Sequence, residues 1–316
     1  VKFTVVGDPH CRLDNLDKMN QLFDMIEDLG NDCIILGDLL DTKELIRGKC
    51  LNLYLKRMRN SKLFFSVLVG NHDRFALDSE EHALQALGHL SNVRLVNSPR
   101  GLYTDEDEHG KFLAMVPYIH DPKKLREALE SVKKADIIFC HADIKGFDYG
   151  NGLLSKEGLD LEDLAHYPMI VSGHYHKYQK LNNITYLGTP FSHSFGESNQ
   201  DKYLGILDTD TMELELLETP FPRHKTITID ASQTKNHPGI DLYHYNRIIL
   251  TGKPEDLKQF PRLPGIKYIE KPELTKLSKE INEVQSPEVQ FNQWASEVKK
   301  YNNDIIDLGL RILKNV

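Results

Sequence analysis

Five short apolar runs, each closed by a small polar cluster, constrain this chain more than any other feature. The clearest is Leu63-Phe64-Phe65-Ser66-Val67-Leu68-Val69, ended by Gly70-Asn71-His72-Asp73. The run has the length and composition of a buried strand, and Gly70 lets the backbone turn sharply at its end. Alone, the tetrapeptide reads equally well as a polar turn. The same grammar recurs at Gly7-Asp8-Pro9-His10 after a first strand over 2–7, and at Gly37-Asp38-Leu39-Leu40-Asp41 after Cys33-Ile34-Ile35-Leu36. It recurs again at His141 after Asp136-Ile137-Ile138-Phe139-Cys140, and at Gly173-His174-Tyr175-His176 after Pro168-Met169-Ile170-Val171-Ser172. Five such ends in order are poorly explained by coincidence.

The segments between them predict how the runs are joined. Leu16, Met19, Leu22, Phe23, Ile26 and Leu29 fall at helical spacing, and Gly30 and Asn31 stop that helix. Thr42 is the expected cap of a second helix reaching about Asn60. Further helices are expected over 80–90 and 122–134, with a strand from Lys111 to Val116. This βαβαβ order predicts a parallel sheet whose polar clusters gather at the C-terminal strand ends. Alternating segments over 177–181, 184–187, 202–207 and 212–218 read as antiparallel strands closing the domain. Asp105-Glu106-Asp107-Glu108 reads as a solvated loop.

At 316 residues the chain exceeds one typical domain. Around Pro220 and Pro222 its texture changes, which predicts a main domain over 1–222 and a small α/β appendage over 223–272. Strands near 226–229, 247–250 and 266–270 and a helix near 254–260 make up that appendage. Residues 273–316 are expected to form a helical C-terminal segment. There Ser286-Pro287-Glu288 is a helix start. Phe291, Trp294, Val298, Tyr301, Ile305, Leu308 and Ile312 then alternate steps of three and four, a heptad seam offered either to the chain's own domain or to a partner.

The formal net charge of −8 excludes a global field that attracts nucleic acid; two bound divalent cations would halve it. The basic stretch Arg47, Lys49, Lys56, Arg57, Arg59 and Lys62 is either a solvated helix face or a track for phosphates. No apolar run approaches the roughly 18 residues of a membrane span. The opening Val1-Lys2-Phe3-Thr4-Val5-Val6 reads as a strand rather than a signal peptide. Cys11, Cys33, Cys50 and Cys140 are scattered without a C-x-x-C pair, which fits reduced thiols and a cytoplasmic location. Cys11 and Cys140 adjoin candidate ligands, and read as small core residues or, alternatively, as thiolate donors.

The five ends carry Asp8 and His10, Asp38 and Asp41, Asn71, His72 and Asp73, His141, and His174 and His176. Carboxylates, imidazoles and one amide oxygen suit Mn²⁺, Fe²⁺ or Zn²⁺ better than Ca²⁺ or Mg²⁺. In Asp-x-His and His-x-His, alternate side chains of an extended segment point the same way. Seven or eight donors exceed one tetrahedral site and suit two metals that share a bridge. The chemical use of such a pair is phosphoester hydrolysis. Two cations roughly 3.5–4 Å apart make hydroxide, neutralise the phosphate and stabilise the leaving oxygen. The bridge should be a carboxylate, and Asp38 is central in sequence for it.

These five clusters resemble the five motifs of the calcineurin-like metallophosphoesterases over about residues 1–220. Within that family the chain most resembles the SbcD/Mre-type recombination nucleases, through Tyr186-Leu187-Gly188-Thr189-Pro190, Ser194-Phe195-Gly196-Glu197 and the appendage that follows. The resemblance implies an α/β sandwich of mixed sheets flanked by helices, with a capping domain and a C-terminal helix. It implies that Asp8, His10, Asp38 and His176 hold one Mn²⁺ and that Asp38, Asn71, His141 and His174 hold a second. His72 would face the scissile phosphate, and Asp73 would orient His72 or tie down the turn. The sequence departs from the family at Asp41, where some relatives carry His, and at Cys140, where Gly is commoner.

The implied activity is a Mn²⁺-dependent 3′-to-5′ exonuclease and single-strand endonuclease acting in DNA recombination and repair or in phage DNA processing. The implied assembly is a homodimer on DNA with an SbcC-like ATPase at the C-terminal seam. A bacteriophage or bacterial source fits the short C-terminus, and the host cytoplasm is the expected location for a phage protein. The alternatives are a phosphomonoesterase, a cyclic-nucleotide phosphodiesterase and a scaffold that kept the fold without catalysis.

Overall fold

The structure, a computed structural model, describes residues 1–42, 45–104, 110–150 and 152–273, together with isolated positions between 289 and 310. The described residues divide into two compact units. The first is Val1–Lys225 with Tyr243–Tyr245, and the second is Thr226–Leu242 with Asn246–Val316.

The first unit begins β1 (Lys2–Val6), α1 (Leu16–Leu29), β2 (Asp32–Ile35), α2 (Gly48–Asn60), β3 (Phe65–Leu68) and β4 (Val93–Val96). It continues β5 (Arg100–Tyr103), β6 (Phe112–Val116), α3 (Pro122–Ser131), β7 (Ile137–His141), the single-turn α4 (Leu161–Leu164) and β8 (Ile170–Gly173). The hairpin β9 (Gln179–Leu181) and β10 (Ile184–Tyr186) follows, then the hairpin β11 (Tyr203–Asp208) and β12 (Glu213–Glu218). Two six-stranded sheets result, in the orders β12-β11-β1-β2-β3-β4 and β5-β6-β7-β8-β10-β9. β1, β2, β3 and β4 are parallel, and β11 closes their edge antiparallel to β1. In the second sheet β6, β7, β8 and β10 are parallel. This is the mixed α/β sandwich that the motifs implied.

Burial explains the layering. Val5, Ile34 and Leu68 of the first sheet share one core with Leu113, Ile137, Phe139 and Val171 of the second. Their alternate neighbours Val6, Ile35 and Val67 face outward, onto Met19, Phe23, Tyr54 and Met58 of α1 and α2. Strands covered on both faces lose the apolar–polar alternation, so they appear in the sequence as unbroken apolar runs. On the far side of the second sheet, Ile138 and Cys140 meet Leu125 and Leu129 of α3. All four cysteines are buried and unpaired. The ends of β1, β2, β3, β7 and β8 come together at one rim, where His141 and His174 of the second sheet meet Asp38 and Asn71 of the first.

Two expectations fail. Thr42 does not cap α2: its Oγ1 donates to the Leu45 carbonyl at 2.7 Å, and the helix starts only at Gly48 without a side-chain cap. The helix expected over 80–90 is a five-residue 3-10 turn, Gln85–His89. Here the backbone is drawn toward the Gly70–Arg74 turn, with the Ala83 amide on the Asp73 carbonyl at 2.8 Å and the Leu84 amide on Nδ1 of His82 at 3.2 Å. Gly88 further lowers the helical preference.

The second unit holds all but the first residues of β13 (His224–Asp230) and β14 (Tyr245–Gly252), with α5 (Pro254–Gln259) and β15 (Lys267–Pro272), and β13-β14-β15 form one sheet. Ile229, Ile248, Leu250, Leu257 and Phe260 form its core. The acidic turn at 105–108 lies outside the described residues, as does most of the heptad seam.

Candidate metal centre

The first sheet delivers Asp8, His10, Asp38, Asn71, His72 and Asp73 to the rim, and the second delivers His141, His174 and His176. The turns that do so are unusual. His10, Asp38 and His174 have φ of 41°, 50° and 99°, in or near the left-handed region that side chains with a Cβ seldom occupy. Close approach demands glycine at Gly70, where an added Cβ would lie 2.4 Å from the Asp38 amide nitrogen.

Two groups of donors form side by side. Asp8, His10 and His176 place one donor atom each within 4.8 Å of one another, and Asp38, His141 and His174 do the same. Asp38 touches both groups, with Oδ2 at 3.6 Å from Nε2 of His10 and 3.4 Å from Nε2 of His141. Asn71 joins the second group, with Oδ1 at 2.9 Å from Nε2 of His141 and 2.9 Å from Nδ1 of His174. Oδ1 of Asp8 and Nδ1 of His10 are buried without a hydrogen-bond partner. Buried polar atoms are seldom left so. The donor set of carboxylates, imidazoles and one amide oxygen fits divalent ions of intermediate hardness.

Each second-group imidazole, and His176, is oriented from behind. Nδ1 of His141 lies 2.8 Å from the Leu36 carbonyl. A carbonyl only accepts, so this nitrogen carries a proton and Nε2 is the ring atom turned toward the site. Nε2 of His174 lies 2.7 Å from Oδ1 of Asp143, leaving Nδ1 for the site. Nδ1 of His176 lies 3.0 Å from Oε1 of Glu197, and its Nε2 faces Nε2 of His10 at 3.0 Å. Glu197 is in turn held by the buried Lys202, which also donates to the His176 carbonyl at 2.9 Å and to Thr189 Oγ1 at 2.8 Å.

His72 stands apart from both donor groups. Its amide donates to Oδ1 of Asp38 at 2.7 Å, and its Nδ1 donates to the Asp41 carbonyl at 2.8 Å. Nε2 therefore carries the free lone pair. Asp73 accepts from the Gly70 amide at 3.0 Å and the Leu40 amide at 3.0 Å. It ties the turn down rather than orienting His72. Asp41 serves through its backbone carbonyl.

Burial and neighbouring charges pull the titrations apart. Burial pushes Asp8 up, partly countered by His141. Burial acts on Asp38 in the same sense, but the imidazoles of His141, His10 and His72 outweigh it and hold that carboxyl below the usual range. Burial of the imidazole opposes protonation of His141, yet Asp38 and Asp8 raise it to about 10. Burial lowers His10 well below its ordinary value. Asp73 is pushed up to about 7 by burial and by the charge of Asp38. Such divergence within one cluster is typical of functional sites.

Reading the sequence missed Asp143, although His141-x-Asp143 repeats the alternation of Asp8-x-His10. Glu197 was singled out within a motif without a role. Lys202 gave no signal at all.

The sequence profile of the family described as calcineurin-like phosphoesterase matches residues 1–178. Protein 244L of Invertebrate iridescent virus 6, which bears a phosphoesterase name, is 29% identical over 272 residues, covering 81% of this chain and 91% of that protein. Exonuclease subunit 1 of Enterobacteria phage T4 is 25% identical over 198 residues, 60% of this chain and 57% of the phage protein. The chain thus spans little more than half the length of that relative. Among solved structures, a novel archaeal phosphodiesterase is 15% identical, with 69% of this chain and 99% of that chain covered and a TM-score of 0.39. Among the described residues no helix is long and apolar enough to cross a membrane. With more than half of its length matched by the family profile and all five motifs gathered at one rim, this chain belongs to the calcineurin-like phosphoesterases.

Proposed function

We propose that the chain is a two-metal phosphodiesterase that cleaves DNA. The observation that carries this reading is Asp38, whose carboxylate touches both donor groups. Asp8, His10, Asp38 and His176 would hold one ion, and Asp38, Asn71, His141 and His174 would hold a second, with Mn²⁺ the ion that suits the set. The ions supply water activation and charge neutralisation that a phosphodiester needs.

The chain supplies position and proton transfer. Leu36, Asp143 and Glu197 fix three imidazoles so that their lone pairs converge. His72 keeps one proton on the Asp41 carbonyl through Nδ1. From Nε2 its protonated form gives a proton to the leaving oxygen, or stabilises charge there. Asp73 holds the turn that presents it.

DNA as the substrate is supported by the exonuclease name of the phage relative, and a second subunit by the word subunit in that name. We extend the reading to a 3′-to-5′ exonuclease and single-strand endonuclease, to a homodimer, to residues 223–272 as a DNA-capping domain, and to an SbcC-like ATPase bound at the C-terminal seam. The test compares linear DNA, circular single-stranded DNA and a chromogenic phosphomonoester in Mn²⁺. Cleavage of both DNAs with little monoester turnover is expected, and turnover of the monoester alone rejects the nuclease reading.

A further inference from the structure

Arg74, the residue after the Gly70–Asp73 turn, is only 7% exposed yet lines an open cavity of about 500 Å³. Its Nη1 donates to the Ser79 carbonyl, and its backbone bridges to that of His82. Nη2 makes no hydrogen bond among the described residues and, unlike Nε, is not sealed from solvent. Burial lowers the pKa of the guanidinium, and the charge of Glu80 offsets this only in part. A largely buried cation keeps donors that a group entering the cavity can meet.

The cavity is one side chain away from the second donor group. Tyr118 forms part of its wall, and the ring of Tyr118 lies 5.9 Å from that of His141 and 5.8 Å from that of His174, centroid to centroid. That wall is fixed. The Tyr118 amide donates to the Val69 carbonyl at 2.9 Å, and the hydroxyl lies 3.2 Å from Nδ1 of His120 and 3.4 Å from Oδ2 of Asp143. The lining decides what kind of group fits. Arg74 and Lys124 share it with three carboxylates, Asp78, Glu80 and Asp121, so the cavity does not favour a second phosphate. Leu77, Pro99, Pro117 and Ile119 add apolar walls, and Asn97 and Ser98 add polar edges. Apolar faces with a few placed donors suit a flat, uncharged ring that carries acceptors at its rim.

We propose that this cavity is a nucleobase subsite, in which Nη2 of Arg74 donates to an acceptor on the base of the nucleoside esterified to the scissile phosphate. The inference rests on the phosphodiesterase reading above and adds to it the part of the substrate that the metal centre does not touch.

The test uses the full chain loaded with Mn²⁺ and two diesters that share the 4-nitrophenolate leaving group. The 4-nitrophenyl ester of thymidine 5′-monophosphate carries a base; methyl 4-nitrophenyl phosphate carries none. The readout is the ratio of their kcat/KM values, in which any loss common to both diesters cancels. The parent chain should prefer the nucleotide ester. Arg74→Met keeps the apolar stem and removes the donors, and should lower the ratio about 10- to 100-fold. Ser98→Trp puts bulk into the cavity while leaving Arg74 in place, and should lower it as well. An unchanged ratio in either variant overturns the inference, and so does a parent with no preference for the nucleotide ester; both outcomes leave the phosphodiesterase reading standing. If Arg74→Met does not melt like the parent, Ser98→Trp alone decides. A parent that binds Mn²⁺ yet hydrolyses neither diester would instead sink the proposed function, and this subsite with it.

Discussion

Nζ of Lys202 lies 2.6 Å from Oε2 of Glu197, with the lysine side chain 1% exposed, directly behind the ring of His176. Glu197 uses its other oxygen to hold Nδ1 of His176. Replacing that carboxylate by a neutral amide in Glu197→Gln removes the negative charge behind His176 and should weaken Mn²⁺ binding about 10- to 100-fold, measured by titration. Lys202→Met leaves a carboxylate buried without its cation and should cost about 3–5 kcal/mol in chemical denaturation. The double variant should be more stable than the sum of the two changes.

Removing divalent ions should abolish phosphoester hydrolysis, and Mn²⁺ should restore it better than Mg²⁺, because imidazole-rich sites disfavour the harder ion. Activity in excess chelator equal to that of the untreated protein would contradict a metal-dependent site.

His72→Ser removes the nitrogen proposed to face the substrate while leaving every proposed ligand intact. Mn²⁺ and DNA binding should persist, and turnover should drop by about 10² to 10⁴. A normal rate would reject its role in proton transfer.

His224 provides a pH test away from the proposed ligands. Burial, and then the nearby Lys18, lower its pKa to about 4 from the ordinary 6.5. The folded chain therefore holds this imidazole neutral while the unfolded chain takes up a proton below about pH 6.5. Its stabilising contribution is present above that pH and declines as pH falls toward 4, where both states are protonated. Thermal melting at pH 7 and pH 4 should show a smaller acid-induced drop for His224→Phe than for the parent chain.

Truncation before Ser286 should spare Mn²⁺ binding and weaken association with an SbcC-like ATPase. An unchanged pull-down would show that the seam belongs to the chain's own packing.

How much of this was legible in the sequence depended on whether neighbours in space were also marked in the chain. β1, β2, β3, β7 and β8 were legible because strands covered on both faces appear as unbroken apolar runs. The donors were legible because each closes such a run, so finding the strand finds the side chain. Asp143 and Glu197 were harder, since a carboxylate two residues past one ligand, or 21 past another, reaches an imidazole only after loops fold back. The 3-10 turn at Gln85–His89 was hidden for a similar reason: its amides answer to Asp73 and His82, not to the local helical pattern. Thr42 had the right side chain for a cap but sits six residues before the helix begins.

The left-handed turns at His10, Asp38 and His174 have one more consequence. Each is a posture an isolated peptide would avoid, by on the order of 1–3 kcal/mol, and each persists because two sheets clamp it. The arrangement of the rim is thus completed when the sheets close. A cation arriving later should find its cradle already shaped and spend little of its affinity on rearranging the chain.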